Sequence, residues 1–275
     1  MEAVRPLYQP KSRLVFAGDW LYDHPEPGQT FEQYLASRPN LAREGRRVIS
    51  VRPLGDLTPA RLRIVELAAD YLERFFGLPA RVEPPLPLDD VPASASRIHP
   101  EWKTRQIRTG YLLGVLQRWL PIDAAAHIGL TSYDLYPNEK YNFVFGQASL
   151  RTRVGVWSLH HFGEPDKDDQ EFRVVLLRAL KTASHETAHM FSLHHCTKYE
   201  CVMNGSNSLY ESDSRPLDTC PECMAKICWA TRCDPARRYE RLAAFCLRHG
   251  LARERLAFEK AHQILMKKSL VEKGR

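Results

Sequence analysis

His185-Glu-Thr-Ala-His189-Met-Phe-Ser-Leu-His-His195 is the stretch on which the reading of this chain turns. It closes a segment, 171–191, whose apolar residues recur at helical spacing, and an α-helix rises about 1.5 Å and turns about 100° per residue. His185 and His189 then stand about 6 Å apart along the axis and about 40° apart around it, so that both can grip one metal ion. Measured from His185, the residues Phe172, Leu176, Ala179, Leu180, Ala183 and Met190 occupy an arc from about 120° to about 220°. Both histidines therefore face away from the core stripe, beside Arg178 and Thr182. Glu186 follows the first of them directly, where its carboxylate reaches a water on the metal without ligating the metal itself. A His, Glu, His triplet on a polar helix face also arises by chance, and His195 supplies the further argument: catalytic zinc takes three protein ligands and keeps a fourth position for water. On a continued helix His195 would lie about 15 Å from His185, so the chain has to turn near Ser192. His194 is the competing third ligand, but His195 has the matching spacing.

Cysteines form a second constellation just downstream. All seven lie between Cys196 and Cys246. The opening MEAVRPLYQPKSRLVF lacks the apolar core of an export signal, so the expectation is a cytoplasmic protein whose clustered thiols hold metal and not disulfides. Cys196, Cys201 and the Cys220-Pro-Glu-Cys223 pair have the spacing by which two short loops each offer two thiolates to a tetrahedral structural zinc. Cys228 is the main rival ligand, whereas Cys233 and Cys246 read as structural thiols.

The rest of the sequence sets the frame. With 275 residues, 44% hydrophobic and 26% charged, the chain is neither collagenous, coiled-coil nor disordered overall. The balance of 39 Lys and Arg against 33 Asp and Glu is interspersed and forms no basic block, so no nucleic-acid partner is expected, and no stretch is long and apolar enough for a membrane span. Residues 1–46 read as an irregular extension. A strand is expected at Val48 to Val51, and a helix between Thr58 as N-cap and Gly77 past its end. A short strand near Arg81 to Val82 and a helix from about Glu101 to Leu120 follow. Further strands are expected at His127 to Thr131, Asn142 to Phe145 and Val154 to Leu159, the active helix over 171–191, and C-terminal helices at 234–249 and 252–269, the last as a solvated amphipathic cap. Helices and strands mix without regular alternation, which makes the class α+β with a mixed sheet.

Taken together, HETAHMFSLHHC, CVM and CPEC, with GLTSYDLYPNEKYNFVFGQA and RVGVWSL upstream, resemble the archaemetzincins over about residues 47–232. The segment GDWLYDHPEPGQTFEQYL is similar to that of their longer, eukaryotic-type members. The resemblance implies a metzincin-like (zincin) single domain over 47–275, with a four-cysteine subsite at 196–223 and C-terminal helices at 234–269. It implies two Zn²⁺: a catalytic ion on His185, His189 and His195, with Glu186 as general base, and a structural ion on Cys196, Cys201, Cys220 and Cys223. It also implies a Met-turn at Met203, a residue that on its own reads as core packing. Two departures from the pattern stand out. Ser192 occupies the position of a usual glycine, where a left-handed turn costs a residue with a Cβ about 1 to 2 kcal/mol, and the gap from Met203 to Cys220 is one residue short.

The expected activity is that of a zinc metallopeptidase acting on a peptide or protein laid along an edge strand at Val154 to Leu159. An aminopeptidase also needs a group that captures the substrate's N-terminus, and the sequence assigns none. The alternative is a zinc-stabilised binding or regulatory protein whose site is inactive or latent, with Asp23 and His24 in the N-terminal segment as covering ligands.

Overall fold

The computed structural model describes residues 1–12 and 16–273, with side chains through Lys268. Two packing units emerge: residues 1–39, 74–77 and 192–275, and residues 40–73 with 78–191. Residues 13–15, within the expected irregular extension, lie outside the description. The remainder of that segment carries a 3-10 turn at Glu2–Leu7 and two short helices, α1 (Trp20–Asp23) and α2 (Phe31–Ala36). Thr30 and Gln33 close a capping box on α2, each side chain accepting from the other's backbone N–H at 3.2 and 2.8 Å.

The second unit carries β1 (Val48–Leu54), which pairs with a parallel strand on either side. The helix α3 (Pro59–Phe76) starts where Thr58 accepts from Arg61 N–H, and β2 (Ala80–Val82) returns parallel to β1. Next come β3 (Ser96–Ile98), β4 (Arg105–Arg108), α4 (Thr109–Arg118), β5 (Ala124–Thr131) and β6 (Asp134–Tyr136). The strands β7 (Gly146–Ala148) and β8 (Val154–Ser158) lead to the long helix α5 (Asp169–Met190). One sheet runs β2-β1-β5-β8-β7, parallel except for β7, and a smaller one runs β3-β4-β6. Mixed sheets under helices give the α+β class that the pattern indicates. Leu54, Ile107, Leu112, Leu116, Leu135, Val154 and Val156 form a buried cluster, and each such side chain contributes about 1.5 to 3 kcal/mol on burial.

Three expectations need correction here. Residues 101–108 are not helical: Gln106 and Ile107 are buried opposite Asp134 and Leu135 of β6, so strand pairing overrides the helical spacing and α4 starts only at Thr109. Asn142 to Phe145 forms no strand, because Gln106 Nε2 and the Arg97 guanidinium bind the Asn142 carbonyl, at 2.7 and 3.2 Å, where a ladder would need it. Nor is Val154 to Leu159 an edge strand. The chain folds back as β7 and pairs antiparallel with β8, Gly146 opposite Trp157, so the edge is β7 itself.

In the first unit the chain continues through α6 (Leu209–Asp213), α7 (Pro221–Thr231), α8 (Pro235–Arg248) and α9 (Ala252–Lys273). Asp234 caps α8 by accepting from Arg237 N–H at 2.7 Å. The helices α8 and α9 pack as a hairpin, with Phe258 and Ala261 buried on the α9 side, so the last helix is only partly the solvated cap expected of it. Below them lies a polar knot. Buried Arg238 donates to Phe75 O at 2.8 Å and to Asp218 at 2.9 Å, and Tyr8 bonds both Asp218 and Tyr239. Removing one partner of such a buried pair costs roughly 3 to 5 kcal/mol. Among the described residues, no helix is long and apolar enough to cross a membrane.

Candidate active site

The helix α5 starts where the Asp168 carboxylate accepts from Gln170 and Glu171 N–H at 2.9 and 2.8 Å, and it packs on β5, β7 and β8. Val175, Leu176, Ala179, Leu180 and Ala183 are buried in that packing. His185 and His189 are half-buried, their rings edge-on with centroids 4.5 Å apart and their Nε2 atoms separated by 2.9 Å. Two imidazole nitrogens so close on a single helix can chelate one metal ion. Glu186, between them in sequence, is buried, and burial pushes its carboxyl up to about 8. Gly146 of the edge strand lies over this carboxyl group; a Cβ there would stand 3.1 Å from Glu186 Cδ.

Phe191 ends the helix by donating back to Ala188 O at 3.0 Å and Thr187 O at 3.3 Å. Ser192 then takes φ of +67°, the left-handed conformation, and breaks the helical path. The turn the spacing demands is therefore present, made by a serine where glycine has no Cβ to strain. His194 is exposed. His195 is half-buried, and its Nδ1 lies 2.8 and 2.9 Å from the two carboxylate oxygens of Glu26. Sequence reading misses this role of Glu26, for it lies 169 positions away and no spacing ties it to the histidines.

The cysteines assemble within the first unit. Cys196, Cys201, Cys220 and Cys223 are all buried, with their sulfurs within 4.8 Å of one another. Cys201 Sγ accepts from Cys220 N–H at 3.1 Å and from Met203 N–H at 3.4 Å. Hydrogen bonds from Cys201, Cys220 and Cys223 pull the Cys196 thiol far below its ordinary range. Four buried sulfurs with backbone N–H groups aimed at one of them suit a tetrahedral, thiolate-loving ion such as zinc. Cys196 N–H donates to Met203 O at 2.8 Å, which ties the buried methionine to the residue after His195. Asn204 locks the loop, its amide donating to Cys196 O at 2.6 Å and Tyr199 O at 2.9 Å. Cys228, the rival ligand, instead meets Cys233 at 3.0 Å.

Another group, Asp134, His160 and His161, escapes sequence reading. Burial raises the Asp134 carboxyl, but hydrogen bonds from His161 at 2.9 Å and Gln106 at 2.8 Å outweigh it and hold the group below its ordinary range. Leu135 N–H donates to it as well, at 2.8 Å, so the carboxylate is fully engaged.

Known proteins share this chain's sequence pattern and fold. The profile of Peptidase family M54 matches residues 117–228, a span that contains α5 and the four clustered cysteines. Archaemetzincin-2 of Rattus norvegicus is 34% identical over 275 residues, covering 88% of this chain and 76% of the relative. The Homo sapiens archaemetzincin-2 is 34% identical over 260 residues, 82% of this chain and 71% of the relative. Among solved structures, the archaemetzincin of Methanopyrus kandleri superposes with a TM-score of 0.55 at 27% identity, over 70% of this chain and 98% of that one. The chain belongs to the archaemetzincin family of zinc metallopeptidases.

Proposed function

We propose that this chain hydrolyses peptide bonds with Glu186 as general base, using one zinc on His185, His189 and His195 and a second, structural zinc on Cys196, Cys201, Cys220 and Cys223. The observation that carries the reading is a buried carboxyl group that follows the first of two histidines whose Nε2 atoms converge on one helix. Ser192, three residues before His195, takes φ of +67° and turns the chain off the helical path, the turn that a third ligand at His195 requires. A zinc ion there supplies Lewis acidity toward the scissile carbonyl and an acidified water. Glu186 takes the proton of the attacking water and returns it to the leaving amine. The extended substrate pairs with β7, the edge strand over Glu186, and Met203 forms the turn after the third ligand.

The test joins metal analysis to digestion of a peptide library with free and blocked N-termini, which separates aminopeptidase from internal cleavage. Two zinc ions per chain are expected, the histidine-bound one leaving first under a chelator because its site is open. A fully zinc-loaded protein that cleaves nothing in a diverse library overturns the reading and favours a binding or regulatory role.

A further inference from the structure

We propose that Glu26 is a positioning residue of the histidine site, and that the segment 18–26 is a built-in part of that site; this rests on the reading that His195 ligates zinc. The carboxylate of Glu26 receives the Nδ1–H of His195 between its two oxygens, at 2.8 and 2.9 Å. An imidazole with its proton held on Nδ1 presents the Nε2 lone pair, the tautomer a metal requires. The ring is also fixed in direction. Trp20 meets it edge-on at 5.2 Å and an interplanar angle of 85°, while Trp20 Nε1–H donates to Glu26 Oε1 at 3.1 Å. Indole, carboxylate and imidazole thus hold one another.

The segment is anchored on its far side by the chain between Cys201 and Cys220. Trp20 N–H donates to the Glu211 carboxylate at 3.2 Å, and Glu211 in turn pairs with buried Arg215. Asn207 donates to Asp23 at 2.8 Å and to Gly18 O at 3.2 Å. Gly205 leaves the room the indole fills, since a Cβ there would collide with Trp20. Asp23 and His24, the side chains that would cover a latent metal, are thereby engaged by Asn207 and by a tilted ring contact with Trp20 at 4.1 Å. The carboxylate of Glu26 meets His195 at Nδ1, the nitrogen that positions the ring. That geometry belongs to a support and not to a cover.

The experiment measures zinc affinity of the histidine site in the full chain by chelator competition, for wild type, Glu26→Gln and Glu26→Ala, with His195 ring nitrogen shifts by NMR as a readout independent of activity. Affinity should fall about 10-fold for Gln and toward 100-fold for Ala, with the cysteine-bound zinc retained and the Nδ1–H tautomer of His195 less populated. Gln keeps the shape, so its melting should stay near wild type. Wild-type affinity in both variants overturns the proposal, and tighter binding in Glu26→Ala overturns it in favour of a covering segment. A wild-type protein that holds zinc only on its cysteines sinks the histidine-site reading itself, whereas two zinc ions and peptide cleavage with indifferent Glu26 variants sink this inference alone.

Discussion

Gly146 and Glu186 are in close approach: a Cβ on Gly146 would stand 3.1 Å from the carboxyl carbon of Glu186 and 3.0 Å from Val156 O. The carbonyl belongs to the paired strand β8 and cannot yield, so an added methyl group has to displace the carboxyl or the edge strand. Gly146→Ala is expected to lower kcat roughly 10-fold by shifting the base a few tenths of an ångström, with zinc content unchanged. Steady-state kinetics and metal analysis check this. A wild-type kcat would show that β7 and the base move independently.

Replacing Cys220 or Cys223 by Ser should destabilise the chain more than His185→Ala does. The four thiols are buried and organise the loop from Cys196 to the N-terminus of α7, and binding of a structural zinc is folding free energy. A loss of several kcal/mol lowers the melting temperature by on the order of 10 °C in a chain of this size. Thermal unfolding of the purified variants decides it: cysteine variants that melt with wild type leave no structural zinc there.

How much of this was legible in the sequence follows the range of the interactions. The helix α5 is readable because its apolar stripe and histidine spacing lie within one segment, and α3 is readable from Thr58, Pro59 and Gly77 for the same reason. The strand β4 was not, because Gln106 and Ile107 are extended only through pairing with β3 and β6. The edge of the sheet was misplaced because three residues, Gly146–Ala148, are too few to carry a period. Glu26 was invisible for a different reason: a carboxylate that serves a histidine 169 positions away leaves no spacing to read.

Ser192→Gly should be tolerated and raise stability slightly, by about 0.5 to 1 kcal/mol. At φ of +67° the serine pays a left-handed cost that glycine avoids, partly offset by the greater freedom of glycine in the unfolded chain. Ser192→Val, β-branched at the same φ, should lose stability instead. Melting curves of both variants give the sign, and reduced zinc affinity in the glycine variant would assign the hydroxyl a bond of its own.

With the histidine site stripped of metal, stability should depend on pH through Glu186. Burial raises its folded carboxyl from 4.5 to about 8, so folding favours the protonated form. The contribution is fully present below the unfolded value of about 4.5 and is lost as pH rises through about 8. Glu186→Gln has no such loss. The melting temperature of stripped Glu186→Gln relative to stripped wild type should therefore climb between roughly pH 5 and pH 9, and zinc should shrink the gap because a cation favours the carboxylate. A difference that is flat with pH would place the titration elsewhere.

Activity, finally, should separate from metal binding in Glu186→Gln. The substitution keeps the side-chain shape and leaves His185, His189, His195 and the four cysteines in place, but it removes the carboxylate that can accept a proton beside the imidazole pair. Peptidase activity should fall by roughly 100-fold or more, the scale of losing a general base, while zinc content stays at the wild-type value. The measurement is kcat/KM on the best library peptide together with metal analysis of the same preparation. If the Gln variant cleaves as wild type does, another group takes the proton; if it loses zinc along with activity, Glu186 serves the site's structure and the base assignment fails.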